Sequence, residues 1–133
     1  MLFRSVSAVE CRAGNRAVVH HMAVFIQPPD ANWIDAFKHF LSGNAQGWGR
    51  MQFPEGTARY IPAGSRFVFV MHYSPAGVEM QDRSYMGLVF ADPGDVTTRC
   101  WTAVAVADDF RIDRKSTRLN SSHSSVSRMP SSA

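Results

Sequence analysis

The sequence predicts an all-β fold: an antiparallel β-sandwich of jelly-roll-like form, with one short helix and a disordered C-terminal tail. Three observations carry this. Two runs, RAVVHHMAVFI at 16–26 and RFVFVMHY at 66–73, are dense in β-branched and aromatic residues. Gly/Pro/Asn/Ser clusters bound the runs: Gly14-Asn15, Pro28-Pro29-Asp30, Pro62-Ala63-Gly64-Ser65 and Ser74-Pro75-Ala76-Gly77. Helical periodicity is confined to one short stretch, and many short strands with turn chemistry favour a sandwich or barrel.

In chain order, weaker strands are expected at 3–10, 57–61, 83–90 and 97–106. In the 16–26 run, alternation puts Val18, His20, Met22, Val24 and Ile26 on one face and Val19, His21, Ala23 and Phe25 on the other. Both faces are apolar, which predicts a central strand covered on both sides. Pro28-Pro29 ends it, because proline cannot donate to a ladder. ANWIDAFKHFL places Trp33, Phe37, Phe40 and Leu41 at helical spacing, which predicts a short helix over the sandwich edge. Gly43–Gly49 (GNAQGWG) lacks the Lys-Ser/Thr of a phosphate loop and reads as a connection. In the 66–73 run, Phe67, Phe69, Met71 and Tyr73 share one face, with Val68, Val70 and His72 on the other.

The 133 residues suffice for one domain. Hydrophobic content of 45% places the chain among globular proteins, and no apolar run is long enough to span a membrane. The net charge of +3 invites a nucleic-acid or membrane-surface reading, but its distribution argues against one. Residues 1–112 hold ten Arg/Lys and ten Asp/Glu, whereas 113–133 hold Arg114, Lys115, Arg118 and Arg128 against Asp113 alone. The same tail holds eight serines. DRKSTRLNSSH (113–123) and SRMPSSA (127–133) resemble the in-frame translation of a common sequencing adapter. The organisation expected is therefore a domain at 1–112, itself a fragment, and an artefactual disordered tail at 113–133. Cys11 and Cys100 either pair or stand as buried thiols, and the sequence leaves both open.

The chemistry-bearing residues of the domain are its histidines. Of His20, His21, His39 and His72, three lie inside apolar strands, where a buried imidazole needs partners for both ring nitrogens and a metal is an efficient one. Neighbouring strand residues point to opposite faces, so His20 and His21 need a twist or bulge to grip one ion. Three imidazoles in an open site suit copper, with zinc as the competitor. Met22 is a soft neighbour better explained by packing. His39, on the helical stretch, reads as solvent-facing. Asp108-Asp109 read as solvated carboxylates, and Tyr73 as a core aromatic that could also shield the site.

VVHHMAVFI followed by FPEGTARYIPAGSRFVFVMHY resembles the first catalytic domain of the copper type II, ascorbate-dependent monooxygenases, the peptidylglycine α-hydroxylating and dopamine β-monooxygenase family. Stretches such as GNRAVVHH, IPAGS, MHYSPAG and DRSYMGLVFA are similar to bacterial proteins of that fold. The resemblance spans about residues 3–112. It implies that His20, His21 and His72 hold one electron-transfer copper, with Pro54-Glu55-Gly56 matching the family's loop and ascorbate or another reductant as electron donor. It also implies a second β-sandwich domain as partner, carrying the substrate copper on a His-x-His pair and a Met that nothing after Ile112 supplies. An extracytoplasmic or periplasmic location follows from the same resemblance. The rival expectations are a non-catalytic copper- or zinc-binding sandwich, and a structural or carbohydrate-binding one whose histidines are core residues.

Overall fold

The computed structural model describes residues 3–45, 48–103 and 105. These form eight strands in two sheets and one short helix, in the order β1 (Phe3–Arg12), β2 (Val19–Gln27), α1 (Trp33–Ala36), β3 (Phe40–Asn44), β4 (Arg50–Gln52), β5 (Thr57–Pro62), β6 (Arg66–Tyr73), β7 (Tyr85–Phe90) and β8 (Thr98–Cys100). The all-β expectation and the single short helix hold. The expected tail at 113–133, Asp108-Asp109 and most of the stretch beyond Ala103 lie outside the described residues.

The larger sheet is organised on β1. Its first half pairs with β5, Ala8–Glu10 pair with β4, and Val6–Arg12 pair with β7, all antiparallel. β8 joins β5 in parallel, which departs from a purely antiparallel sandwich. The smaller sheet has β2 at its centre, flanked by β3 and β6. Between the sheets lies a core of Val6, Val9, Cys11, Met22, Val24, Ile26, Leu41 and Ile61. Each such side chain withdrawn from water stabilises the fold by roughly 1.5–3 kcal/mol.

Alternation gave the core face of β2 correctly from Met22 onward, since Met22, Val24 and Ile26 are buried. It did not do so before Met22, where His20 is exposed and Val19, assigned to the opposite face, is buried. The other face is less covered than its apolar composition suggested. His21, Ala23 and Phe25 are all half-buried, because α1 and the turn after it cover only the Phe25 end. There the Phe37 and Phe40 rings pack edge-on against Phe25, at centroid separations of 4.9 and 5.6 Å.

The helix is shorter than the spacing of its aromatic residues implied. Asn32 caps it, its side-chain oxygen accepting from the Asp35 amide at 2.9 Å, and Lys38 pairs with Asp35. It stops after four residues, and Phe40 and Leu41 enter β3, where Leu41 faces the core. The physical reason is tertiary: the edge of β2 offers Phe40 to Asn44 a ladder, and a helix this short has little stability of its own. The stretch read as a connection from Gly43 therefore begins as strand and closes through the Ala45–Trp48 bridge. Gly43 fits there because a Cβ would lie 2.6 Å from the Met22 carbonyl oxygen.

Candidate metal centre

His20 and His21 enter on β2 and His72 on β6, the adjacent antiparallel strand. From Gln27 to His21 the register is regular, with His21 opposite His72. It then shifts, and Val19 faces Tyr73. Two residues of β2, His20 and His21, thus oppose one residue of β6, which is the signature of a β-bulge. The bulge cancels the alternation that would send the two neighbours to opposite faces. It also turns Val19 to the core, where it is buried.

The three rings consequently lie together. The Nδ1 atoms of His20 and His21 are 2.9 Å apart, so one of the two carries the shared proton. The His21 and His72 rings are stacked with centroids 4.1 Å apart and planes inclined by 34°. His20 and His21 meet nearly edge-on at 5.0 Å. The arrangement is a row with His21 in the middle.

Burial overturns one expectation. The imidazoles are not core groups: His20 and His72 are exposed and His21 is half-buried. The apolar runs around them end at the rim of the sheet, beyond the reach of α1. His20 and His72 stand open to solvent and the Nδ1 atoms of His20 and His21 meet each other, so a buried polar group in need of a partner is not what marks them. His39 is half-buried rather than solvent-facing, its backbone carbonyl accepting from the Ile26 amide. Tyr73 is 55% exposed and is not a core aromatic.

Among the described residues, no group of three or more His, Cys, Asp and Glu side chains is placed so that it could hold a metal ion as it stands. Two features of the row bear on whether a side-chain rotation could make it a ligand set. Two Nδ1 atoms 2.9 Å apart, each about 2 Å from an ion, subtend about 90° at it, an ordinary coordination angle. His72 must turn about its side-chain torsions to join them, and its exposure leaves that rotation free. Electrostatics favour the same state. The His21 pKa is held below its ordinary 6.5, first by partial desolvation and then by His72 and His20, which become like charges when protonated. A ring kept neutral is the form that binds a metal.

A shallow cleft of about 220 Å³ lies beside His20 and is lined in part by Arg16, Asn44 and Ser74. Pro54-Glu55-Gly56 makes its contacts elsewhere. Pro54 accepts from Thr57, while Gly56, at φ +72°, accepts through its carbonyl from Thr97 and Thr98. That loop ties β5 to β8 rather than touching the histidines. Cys11 and Cys100 are both free thiols, the first buried and the second half-buried.

Sequence reasoning missed the polar residues behind the row. Asp82 joins the turn before His20 to Tyr73, the residue after His72, through hydrogen bonds spanning up to 67 positions. No local pattern signals a contact of that separation. No family model, no curated protein and no solved structure matches the chain.

Proposed function

We propose that this chain is a copper-binding β-sandwich module in which His20, His21 and His72 hold one ion. Its task is to store and pass an electron within a monooxygenase-like oxidoreductase. The observation that carries the reading is the bulge in β2, which sets two consecutive histidines on the same side as a third from the neighbouring strand. A bulge interrupts a ladder and is retained where it re-aims side chains.

Copper, when bound, supplies a one-electron couple compatible with a small number of imidazole ligands. The chain supplies the rest. The lowered pKa of His21 keeps its ring available near neutral pH. The open rim leaves the ligand edges accessible, as electron exchange with another molecule requires. Arg16, exposed and lining the cleft beside His20, gives a small anionic reductant an approach. A second, substrate-hydroxylating β-sandwich is the partner this reading calls for.

The test is a copper titration followed by electron paramagnetic resonance through one redox cycle. The expected result is a nitrogen-coordinated Cu(II) signal that ascorbate bleaches and dioxygen restores. Preference for zinc, with copper bound weakly and not cycled, would replace the reading with a redox-silent metal module. Failure to bind either metal would leave a structural or carbohydrate-binding sandwich.

A further inference from the structure

The histidine row stands on two strand ends, and a short segment before β7 locks those ends together. Asp82 is its hub. One carboxylate oxygen accepts from the Asn15 amide at 2.8 Å. The other accepts from the Tyr73 hydroxyl at 3.1 Å and from the Ser84 hydroxyl at 2.8 Å.

Two of these partners, Asn15 and Tyr73, lead to the row. Asn15 opens the turn that delivers β2: its carbonyl accepts from the Val18 and Val19 amides, and its side-chain oxygen accepts from the Ala17 amide. Its side-chain nitrogen donates to the Gln81 carbonyl at 2.9 Å, a second bond to the segment that carries Asp82. Val19 is followed at once by His20. On the other side, Tyr73 follows His72 in β6. The Ser74 amide then donates to the Val18 carbonyl at 2.7 Å, closing the ladder just past the bulge.

The approach is close as well as bonded. Gly14 donates to Ser84, and a Cβ on Gly14 would lie 2.3 Å from the Arg83 carbonyl oxygen, so only glycine admits the segment there. Asp82 itself is half-buried. Partial desolvation works to raise its pKa, but the hydrogen bonds from Ser84, Asn15 and Tyr73 outweigh it and hold the carboxyl below its ordinary range.

We infer that Asp82 is a positioning residue for the metal site: it holds the turn before His20 and the residue after His72 on one carboxylate, and so fixes the separation of the ligating strands. The inference rests on the copper reading of the same histidines. The hydrogen bonds of the Asp82 carboxylate go to Asn15, Tyr73 and Ser84 rather than to the three rings, so it acts through Asn15 and Tyr73. Groups one step behind a ligand orient it, and their loss typically weakens metal affinity by about 10–100-fold.

The experiment compares Cu(II) affinity and paramagnetic resonance spectra for the full chain, Asp82→Asn, Tyr73→Phe and Asp92→Asn. Asp92 serves as control because its carboxylate holds a turn in the same manner, accepting from the Gly94 amide, in the loop after β7. Asparagine at 82 keeps one acceptor for Asn15, but its amide nitrogen cannot accept from Tyr73 and Ser84. Asp82→Asn is expected to weaken copper binding about tenfold and to shift the copper hyperfine splitting. Asp92→Asn is expected to remain within about twofold with an unchanged spectrum. Tyr73→Phe, which removes a single bond, is expected to weaken binding about threefold and decides the matter if Asp82→Asn does not fold. Asp82→Asn or Tyr73→Phe binding like the unsubstituted chain, with superimposable spectra, would overturn the positioning role and leave the copper reading standing. An unsubstituted chain that binds no copper would overturn both.

Discussion

The outward face of the smaller sheet has two ends that look alike in sequence and differ in structure. At one end Phe25 is packed by Phe37 from the turn after α1 and by Phe40 from the start of β3. At the other end the same strand presents His20 and His21, with His72 beside them and, among the described residues, no helix above. The covered end contributes stability by removing aromatic surface from water. The open end contributes little of that kind, and its bulge and polar scaffold order three titratable rings instead. Packing and chemistry are thus separated along a single strand, so substitutions at the two ends should fail in different ways.

The largest expected effect lies at the open end. His21→Ala removes the middle ring of the row, and copper affinity should fall by more than about 100-fold, beyond the range for groups behind a ligand. Stability measured by urea unfolding should change by no more than about 0.5 kcal/mol, as for other poorly buried positions. Equal copper binding before and after the substitution would break the comparison. Phe25→Ala should reverse the pattern. Truncating a fully buried Phe costs about 3–5 kcal/mol, and this half-buried ring should cost about 2–3 kcal/mol while copper affinity stays within about threefold.

A smaller effect separates the two ends by pH. The folded pKa of His21 lies below its ordinary 6.5, so between the two values the unfolded chain binds more protons than the folded one. Stability without metal should therefore fall as pH drops from about 7 through that window, and His21→Ala should flatten the slope. Thermal unfolding across this range checks it; an unchanged slope in the variant would remove His21 as its source. Asp82 acts lower on the scale. Its depressed pKa gives stability that is present above the ordinary carboxylate value of 3.8 and lost as pH falls through the folded value.

The smallest effect contrasts the core with the more exposed parts of the sheets. Burial pushes the Cys11 thiol up, with Ser42 partly opposing it and Glu10 adding to it, and a thiol at high pKa is a poor nucleophile. Half-buried Cys100 should react with iodoacetamide first under native conditions. Mass spectrometry of the alkylated chain checks the order, and prior modification of Cys11 would contradict it.

How much of this was legible in the sequence depends on the range of the cause. β6 was readable to the residue because its run is bounded by turn chemistry on both sides. The core face of β2 was readable from alternation over Met22 to Ile26, but not at Val19 and His20, where the bulge reverses it. The helix was overextended because Phe40 and Leu41 satisfy a helical spacing equally well, and only the waiting edge of β2 makes them strand. The three histidines were legible as residue types on two strong strands. Their exposure was not, since composition cannot say where α1 stops covering the sheet. The bulge that joins His20 to His21 is a register fact, fixed by pairing with a strand some fifty residues away. Gly14-Asn15 was legible as a turn, but its contact with Asp82 was invisible for the same reason.

The proposed site has three imidazoles from two strands on one copper ion. Pulsed electron paramagnetic resonance of the copper-loaded chain counts those imidazoles directly. Three are expected in the unsubstituted chain and two in each of His20→Ala, His21→Ala and His72→Ala. A count of two or fewer in the unsubstituted chain, unchanged by His72→Ala, would contradict it.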